Sequence, residues 1–124
     1  MKKVKKVTGH QGLFHSTVAY DNGSKDELSN VHPEYSCFRN GEGLYYQGIE
    51  NDPNWIAWKR HNRFGEWFQM IFDEHKVVLI NETIDEDRTR RRNGHIAVFE
   101  VSNVKLSEDE LTFRFTKRLQ ETQR

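Results

Sequence analysis

Aromatic and basic side chains alternate between residues 45 and 67, and the residue types of this segment suit binding chemistry. Rings interleaved with Lys and Arg match single-stranded nucleic acid, because bases stack on rings while phosphates pair with cations. Aromatic platforms with polar neighbours also suit sugars and flat ligands. The alternative, which the composition favours, is that the rings form the core and the Lys and Arg stems lie over them. The candidate binding residues here are Tyr45, Tyr46, Trp55, Trp58, Lys59, Arg60, Arg63 and Trp67.

Two histidines, His15 and His95, each open a predicted strand. Residues 15–18 read His-Ser-Thr-Val and residues 95–98 read His-Ile-Ala-Val. The pair resembles the two-histidine phosphoesterases, which use paired His-x-Thr/Ser motifs as acid and base at a phosphodiester. Ala97 stands where the second motif of that family carries a hydroxyl, and the family's long helices have no counterpart in this sequence. A phosphodiester-acting enzyme that uses His15 and His95 is therefore one alternative function.

Arg114 lies between Phe113 and Phe115 on the last predicted strand. If this strand closes a barrel and Arg114 points inward, its guanidinium would hold a carboxylate or phosphate through two parallel hydrogen bonds. A meander with an arginine on its terminal strand resembles the calycin barrels, and this resemblance implies a cavity for a small apolar or anionic ligand. Strand alternation favours the opposite arrangement, in which Arg114 faces solvent and both phenylalanines are core.

The remaining polar motifs predict neither a metal site nor a catalytic site. No two histidines have His-x-His or His-x₃-His spacing, and the lone Cys37 has no second cysteine with which to bind zinc. Residues 88–92 include four arginines, but acidic residues at 82–87 precede them, so the charges of this segment offset each other. We expect no cofactor, no metal and no catalytic residue, and a binding protein rather than an enzyme.

Composition limits the class of protein and its compartment. The chain has 124 residues with 19 basic and 19 acidic side chains, and this balance argues against bulk electrostatic binding to nucleic acid or a membrane. Neither a signal-peptide core nor a run of about 20 apolar residues is present. The single cysteine suits a reducing compartment. We expect one domain over residues 1–124, soluble and cytoplasmic, with no membrane partner, while its oligomeric state stays open.

Short β-branched and aromatic runs between turn residues predict a series of antiparallel strands. They lie at 13–20, 35–38, 44–49, 67–72, 77–84, 96–101 and 111–116, and residues 73–75 make a hairpin turn. Residues 24–33 read as a polar loop, 85–93 as a charged loop and 120–124 as a frayed tail. One short helix is predicted near 53–64. Asp52 suits its N-cap, Pro53 its first position and Gly65 its end. The alternative for this segment is a strand through Trp55 and Trp58.

The predicted fold class is therefore all-β, a mainly antiparallel meander that forms a small β-barrel or β-sandwich with at most one short helix. The leading functional hypothesis is a non-enzymatic interaction module that contacts a protein through the aromatic-basic surface. Single-stranded nucleic acid, a sugar or a small ligand are the other partners that this surface would suit.

Overall fold

A computed structural model describes residues 3–9, 14–39, 42–87 and 89–119. The predicted frayed tail, residues 120–124, lies outside these ranges. Within them the chain forms eight strands, two α-helices and one 3-10 turn at Pro33–Tyr35. The strands are β1 Val4–Gly9, β2 His15–Tyr20, β3 Lys25–Val31, β4 Ser36–Arg39, β5 Glu42–Gly48, β6 Lys76–Ile84, β7 Arg90–Leu106 and β8 Glu110–Leu119. The helices are α1 Trp55–Arg60 and α2 Phe64–Glu74.

The strands form one curled sheet, shaped like half a barrel, in the order β1-β2-β3-β6-β7-β8-β5-β4. The predicted all-β class is confirmed. Neighbouring strands are antiparallel except β3 and β6, which are parallel. Parallel neighbours require a long crossover connection. Here the crossover contains both helices and the β4–β5 hairpin. The hairpin joins the far edge of the sheet, where β5 pairs with β8.

Helix α2 occupies the segment that alternation predicted as a strand at 67–72, and that prediction was wrong. Phe64, Trp67 and Ile71 are buried, and Phe68 packs against the same core. These positions follow the i, i+3, i+4, i+7 spacing of a helix face. Phe72, which alternation grouped with Phe68, is 49% exposed. The helical period therefore decides this segment, although the alternating pattern is equally visible in the sequence.

The ends of the two helices also differ from the prediction. His75 adopts left-handed backbone geometry with a φ of 54°, and its N–H donates to the carbonyl of Ile71, so residues 73–75 end a helix instead of forming a hairpin. The single helix predicted near 53–64 is present only as the short α1. Asp52 does not cap α1, whose first flanking residue is Asn54, and Gly65 lies inside α2 instead of ending a helix.

Strand β3 occupies the segment predicted as a polar loop at 24–33, so that prediction was wrong as well. Its Ser29 and Asn30 side chains are buried, and residues distant in sequence supply their hydrogen bonds. Ser16 Oγ donates to Asn30 Oδ1 at 2.6 Å, and Ser29 Oγ donates to the carbonyl of Trp67 at 2.6 Å. The predicted charged loop at 85–93 is shorter than expected, since β6 continues to Ile84 and β7 begins at Arg90.

The sheet carries a hydrophobic core on each face. Val77 and Leu79 of β6 point to one face and Val78 and Ile80 to the other, as strand alternation requires. The helix-side core, beneath α1 and α2, contains Val31, Tyr35, Tyr45, Trp55, Phe64, Trp67, Ile71, Val77, Leu79, Val101, Leu111, Phe113 and Phe115. The strand-side core, where the sheet curls β1 towards β7, contains Val4, Val18, Tyr20, Leu28, Val78, Ile80, Val98 and Leu119.

Candidate functional site

Three of the nine predicted binding residues belong to the helix-side core. Tyr45 and Trp55 are 1% exposed and Trp67 is 2% exposed. The polar atom of each ring has an internal partner. Trp55 Nε1 donates to a backbone carbonyl in the β7–β8 turn and Trp67 Nε1 to one in β3, both at 2.8 Å. Tyr45 OH donates to Gln47 Oε1 at 2.7 Å. These rings are therefore not available to a partner, and the core interpretation is correct for them.

Four more of the predicted binding residues, Trp58, Lys59, Arg60 and Arg63, lie along α1 and the turn after it. Trp58 is half-buried and packs against the helix-side core. Lys59 Nζ donates to a carbonyl of the β7–β8 turn at 3.3 Å, so the lysine joins α1 to that turn. Arg60 and Arg63 are exposed, and Arg63 forms an ion pair with Glu66 at 3.3 Å. This end of the molecule carries exposed cations, but only a half-buried ring accompanies them.

The last two candidates, Tyr46 and Arg114, lie on the sheet face opposite the helices. Residues on either side of them along the strands, such as Tyr45 and Phe113, point into the helix-side core. Arg114 therefore points away from that core and is exposed. The inward arrangement considered for a calycin-like clamp is wrong for Arg114. Its neighbour on β5 is Leu44, whose side chain is 55% exposed.

Strand register brings these residues into two rows on this face. Cys37, Leu44, Arg114 and Ser102 are successive partners across β4, β5, β8 and β7, and Tyr46, Thr112 and Lys105 form the next row. Aligned partners on one face of a sheet have Cβ atoms about 5 Å apart, so their side chains form a continuous surface. We call this surface the β5–β8 face and define it by Cys37, Leu44, Tyr46, Ser102, Lys105, Thr112 and Arg114.

The phenol of Tyr46 is a hydrogen-bonding group of this face that lies beside two carboxylates. Its OH donates to Glu50 Oε2 at 3.4 Å. Partial desolvation, followed by the negative charges of Glu110 and Glu50, raises the pKa of Tyr46. The phenol therefore stays protonated at neutral pH and can donate a hydrogen bond. The β5–β8 face thus combines an aliphatic side chain, a phenol and two cationic groups.

A concave feature, separate from the β5–β8 face, lies between α2 and the strands β2 and β3. This groove has a volume of about 410 Å³. Its lining side chains are Phe14, His15, Glu27, Glu66, Gln69, Met70 and Asp73, and we call it the α2 groove. His15 Nδ1 lies 2.9 Å from Glu27 Oε1, and the Thr17 hydroxyl donates to the same carboxylate. Sequence reasoning did not bring these residues together.

The two histidines of the predicted catalytic pair lie far apart in the sheet. His15 is on β2 and His95 is on β7, with β3 and β6 between them in the sheet. Three strand spacings correspond to roughly 14 Å along the sheet, which exceeds the span of one phosphodiester. His15 pairs instead with Glu27, and His32 Nδ1 lies 3.1 Å from Glu82 Oε1. In the described part of the chain, no group of three or more His, Cys, Asp or Glu side chains is arranged to hold a metal ion.

No protein-family model matches the chain, and no curated protein or solved structure matches it either. Among the described residues, no helix has the length and apolar character needed to cross a membrane. The molecule is thus defined by its own geometry as a half-barrel β-protein with an open sheet face and a groove beside its longer helix.

Proposed function

We propose that this chain is a non-enzymatic binding module that contacts a protein partner through the β5–β8 face. The observation that carries the proposal is Leu44, a large apolar side chain that is 55% exposed and has Arg114 as its register partner. Tyr46 occupies the neighbouring row. Tyrosine and arginine are enriched at protein interfaces, where an apolar centre is surrounded by polar groups.

The chemistry of the face favours a protein over nucleic acid or a sugar. Leu44 has no ring, so Tyr46 is the single ring among the residues that define the face on which a base or a sugar could stack. Trp55 and Trp67, which would have supplied such rings, are buried. The two charged residues that define the face, Lys105 and Arg114, are both cationic, while the carboxylates of Glu50 and Glu110 lie beside Tyr46. A complementary partner surface therefore carries an apolar side chain opposite Leu44 and carboxylates opposite the two cations.

The proposal includes a reducing, cytoplasmic compartment. Cys37 is a free cysteine, and it is exposed on the β5–β8 face beside Leu44. An unpaired exposed thiol persists where glutathione and thioredoxin keep thiols reduced, and it oxidises readily elsewhere.

A site-specific crosslinking experiment tests this proposal. A photo-crosslinking amino acid is placed at position 44 or, as a control, at position 56, because Ile56 on α1 is similarly exposed at 50%. The partner captured from position 44 is identified and purified, and its affinity for the wild-type chain is measured. We expect Leu44→Ser and Arg114→Glu each to weaken binding at least tenfold, which corresponds to about 1.4 kcal/mol.

Arg60→Glu is the matched control for Arg114→Glu, because it makes the same charge change at an exposed arginine on α1. It should leave the affinity within about twofold. Crosslinks that are identical from positions 44 and 56, or equal losses from both arginine variants, would show that binding does not use the β5–β8 face.

A further inference from the structure

We propose that the α2 groove is a binding site for a small organic cation, an ammonium or guanidinium group carried on an apolar body. This site is separate from the β5–β8 face and does not depend on the function proposed for that face. Its volume of about 410 Å³ lies within the usual range for small-molecule sites, roughly 300–1,000 Å³.

The apolar part of the groove would hold the body of the ligand. Phe14 is partly buried and packs against the helix-side core, so its ring is a fixed surface. Its position is also supported by an edge-to-face contact with His15 at a centroid distance of 4.9 Å. Met70 of α2 contributes a flexible and polarisable side chain that adapts to the shape of a ligand.

The charged part of the groove selects for a cation. Among the described residues that line it, Glu27, Glu66 and Asp73 supply three carboxylates and none is a Lys or an Arg. The Glu27 and Glu66 side chains are 48% and 62% exposed, so both remain accessible to a ligand. A low-dielectric wall beside several charges of one sign concentrates ions of the opposite sign.

Internal contacts hold two of the carboxylates, Asp73 and Glu27, in place without using all of their acceptor positions. Gln69 Nε2 donates to Asp73 Oδ1 at 2.8 Å, and Glu27 is contacted by His15 and Thr17. An ionised carboxylate has about four lone-pair positions, so one or two bonds leave room for a ligand N–H. The groove is therefore partly pre-organised for a cationic donor.

The chain itself shows the contact that such a ligand would make. The guanidinium carbon of Arg63 lies 5.7 Å from the centre of the Phe14 ring, and Arg63 also pairs with Glu66 at 3.3 Å. A cation between an aromatic ring and a carboxylate is thus already present at the rim of the groove. A single guanidinium does not balance three carboxylates, which leaves charge for a second cation.

Titration of the full chain with n-hexylammonium tests the proposal. The methyl signal of Met70 is the readout, because the chain contains only one other methionine, Met1. Hexanol and hexanoate are matched ligands with the same apolar body and a different charge. We expect a saturable shift of the Met70 methyl with hexylammonium, weaker binding of hexanol and weakest binding of hexanoate.

Charge-neutral variants show whether the carboxylates are responsible. Glu66→Gln and Asp73→Asn should each weaken hexylammonium binding about 1.5- to fivefold, the range expected for exposed ion pairs. The control Glu34→Gln removes an exposed carboxylate outside the groove and should leave binding unchanged. Affinity should also fall as salt concentration rises.

Three results would overturn the proposal. The first is hexanol binding as tightly as hexylammonium, which would make the groove merely apolar. The second is an unchanged affinity in both groove variants while their thermal melts match the wild type. The third is a Met70 signal that responds to a lysine-rich peptide but not to hexylammonium, which would indicate a docking site for a basic protein segment. Leu44→Ser and Arg114→Glu should not affect hexylammonium binding, so failure here and failure of the proposed protein contact can be told apart.

Discussion

Tyr45 illustrates how a residue with the chemistry of a binding site can belong to the interior. Its OH donates to Gln47 Oε1 at 2.7 Å, and Gln47 Nε2 donates to Asp52 Oδ2 at 2.8 Å. Asp52 Oδ1 accepts the N–H of Asn54 at 2.9 Å. This buried chain of hydrogen bonds connects β5 to the turn before α1. It also explains why Asp52, although it has the residue type of a helix cap, is used elsewhere.

Replacement of Tyr45 by phenylalanine tests the structural role of this network. Tyr45→Phe leaves the buried Gln47 Oε1 without its donor, and a buried acceptor without a partner costs about 1–3 kcal/mol. We expect a loss of that size in the free energy of unfolding, measured by urea denaturation at pH 7. Arg60→Glu, an exposed change on α1, should alter it by less than about 0.5 kcal/mol. A Tyr45→Phe protein as stable as the wild type would contradict the network.

The buried phenol of Tyr45 makes the free energy of unfolding depend on pH. Burial holds the pKa of its phenol well above the usual range, whereas a tyrosine in the unfolded chain ionises near pH 10. The stability that the fold gains from keeping this phenol neutral is therefore fully present below about pH 10. At higher pH the unfolded state releases a proton that the folded state retains, so stability falls by roughly 1.4 kcal/mol per pH unit. Urea denaturation between pH 9 and 11 should show a shallower fall for Tyr45→Phe, and equal slopes would exclude this explanation.

At the scale of elements, Gly48 and Gly65 differ in whether their surroundings leave room for a side chain. Gly48 ends β5, where a Cβ would collide with the backbone carbonyl of Asp109 and with Glu110. The N–H of Ile49 donates to that same carbonyl at 2.8 Å, so the β5 end and the β7–β8 turn are held close together. Gly65 lies in α2 with open space where its Cβ would be.

These two positions form a matched pair of substitutions. Gly48→Ala should lower the free energy of unfolding by about 1–3 kcal/mol, because the backbone of the turn must move. Gly65→Ala should raise it by up to about 1 kcal/mol, because alanine favours the helix and restricts the unfolded chain. Thermal or urea denaturation measures both. Effects of the same sign would mean that the close approach at Gly48 or the helical state of Gly65 is wrong.

At the scale of the whole molecule, the positions of the three tryptophans report how the helices close over the sheet. Trp55 and Trp67 are in the helix-side core, and Trp58 is half-buried at its border. Trp58 contacts Trp67 with ring centres 5.4 Å apart, so the two helices share one aromatic cluster. This arrangement makes Trp58 the one tryptophan of the three that a solvent quencher can reach.

Iodide quenching of the native protein measures this arrangement directly. We expect quenching of only a fraction of the fluorescence, and Trp58→Phe should remove most of the quenchable part. The same variant with urea added should show strong quenching of Trp55 and Trp67, which proves that the assay detects exposure. Strong quenching of native Trp58→Phe would show that the helices do not cover the core.

The sequence predicted some elements well because their signals are local. Leu111, Phe113 and Phe115 alternate with polar residues, and their burial in β8 follows from that alternation. The same pattern favoured an outward Arg114, and the structure agrees. Leu44 was missed as a surface residue because a leucine beside Tyr45 and Tyr46 can face either side of a strand. Only the burial of Tyr45 shows which side of β5 is exposed.

The sequence by itself determined the all-β class and the facing of β8, because a two-residue period is a property of neighbouring positions. The tertiary structure decided the state of α2, where strand and helix periods overlap, and the burial of Asn30, whose partner Ser16 lies on another strand. It also assembled the α2 groove, since Phe14, Glu27 and Asp73 meet only after the crossover places α2 against β2 and β3. Contacts between residues far apart in sequence have no local period, and for that reason the site depends on the fold.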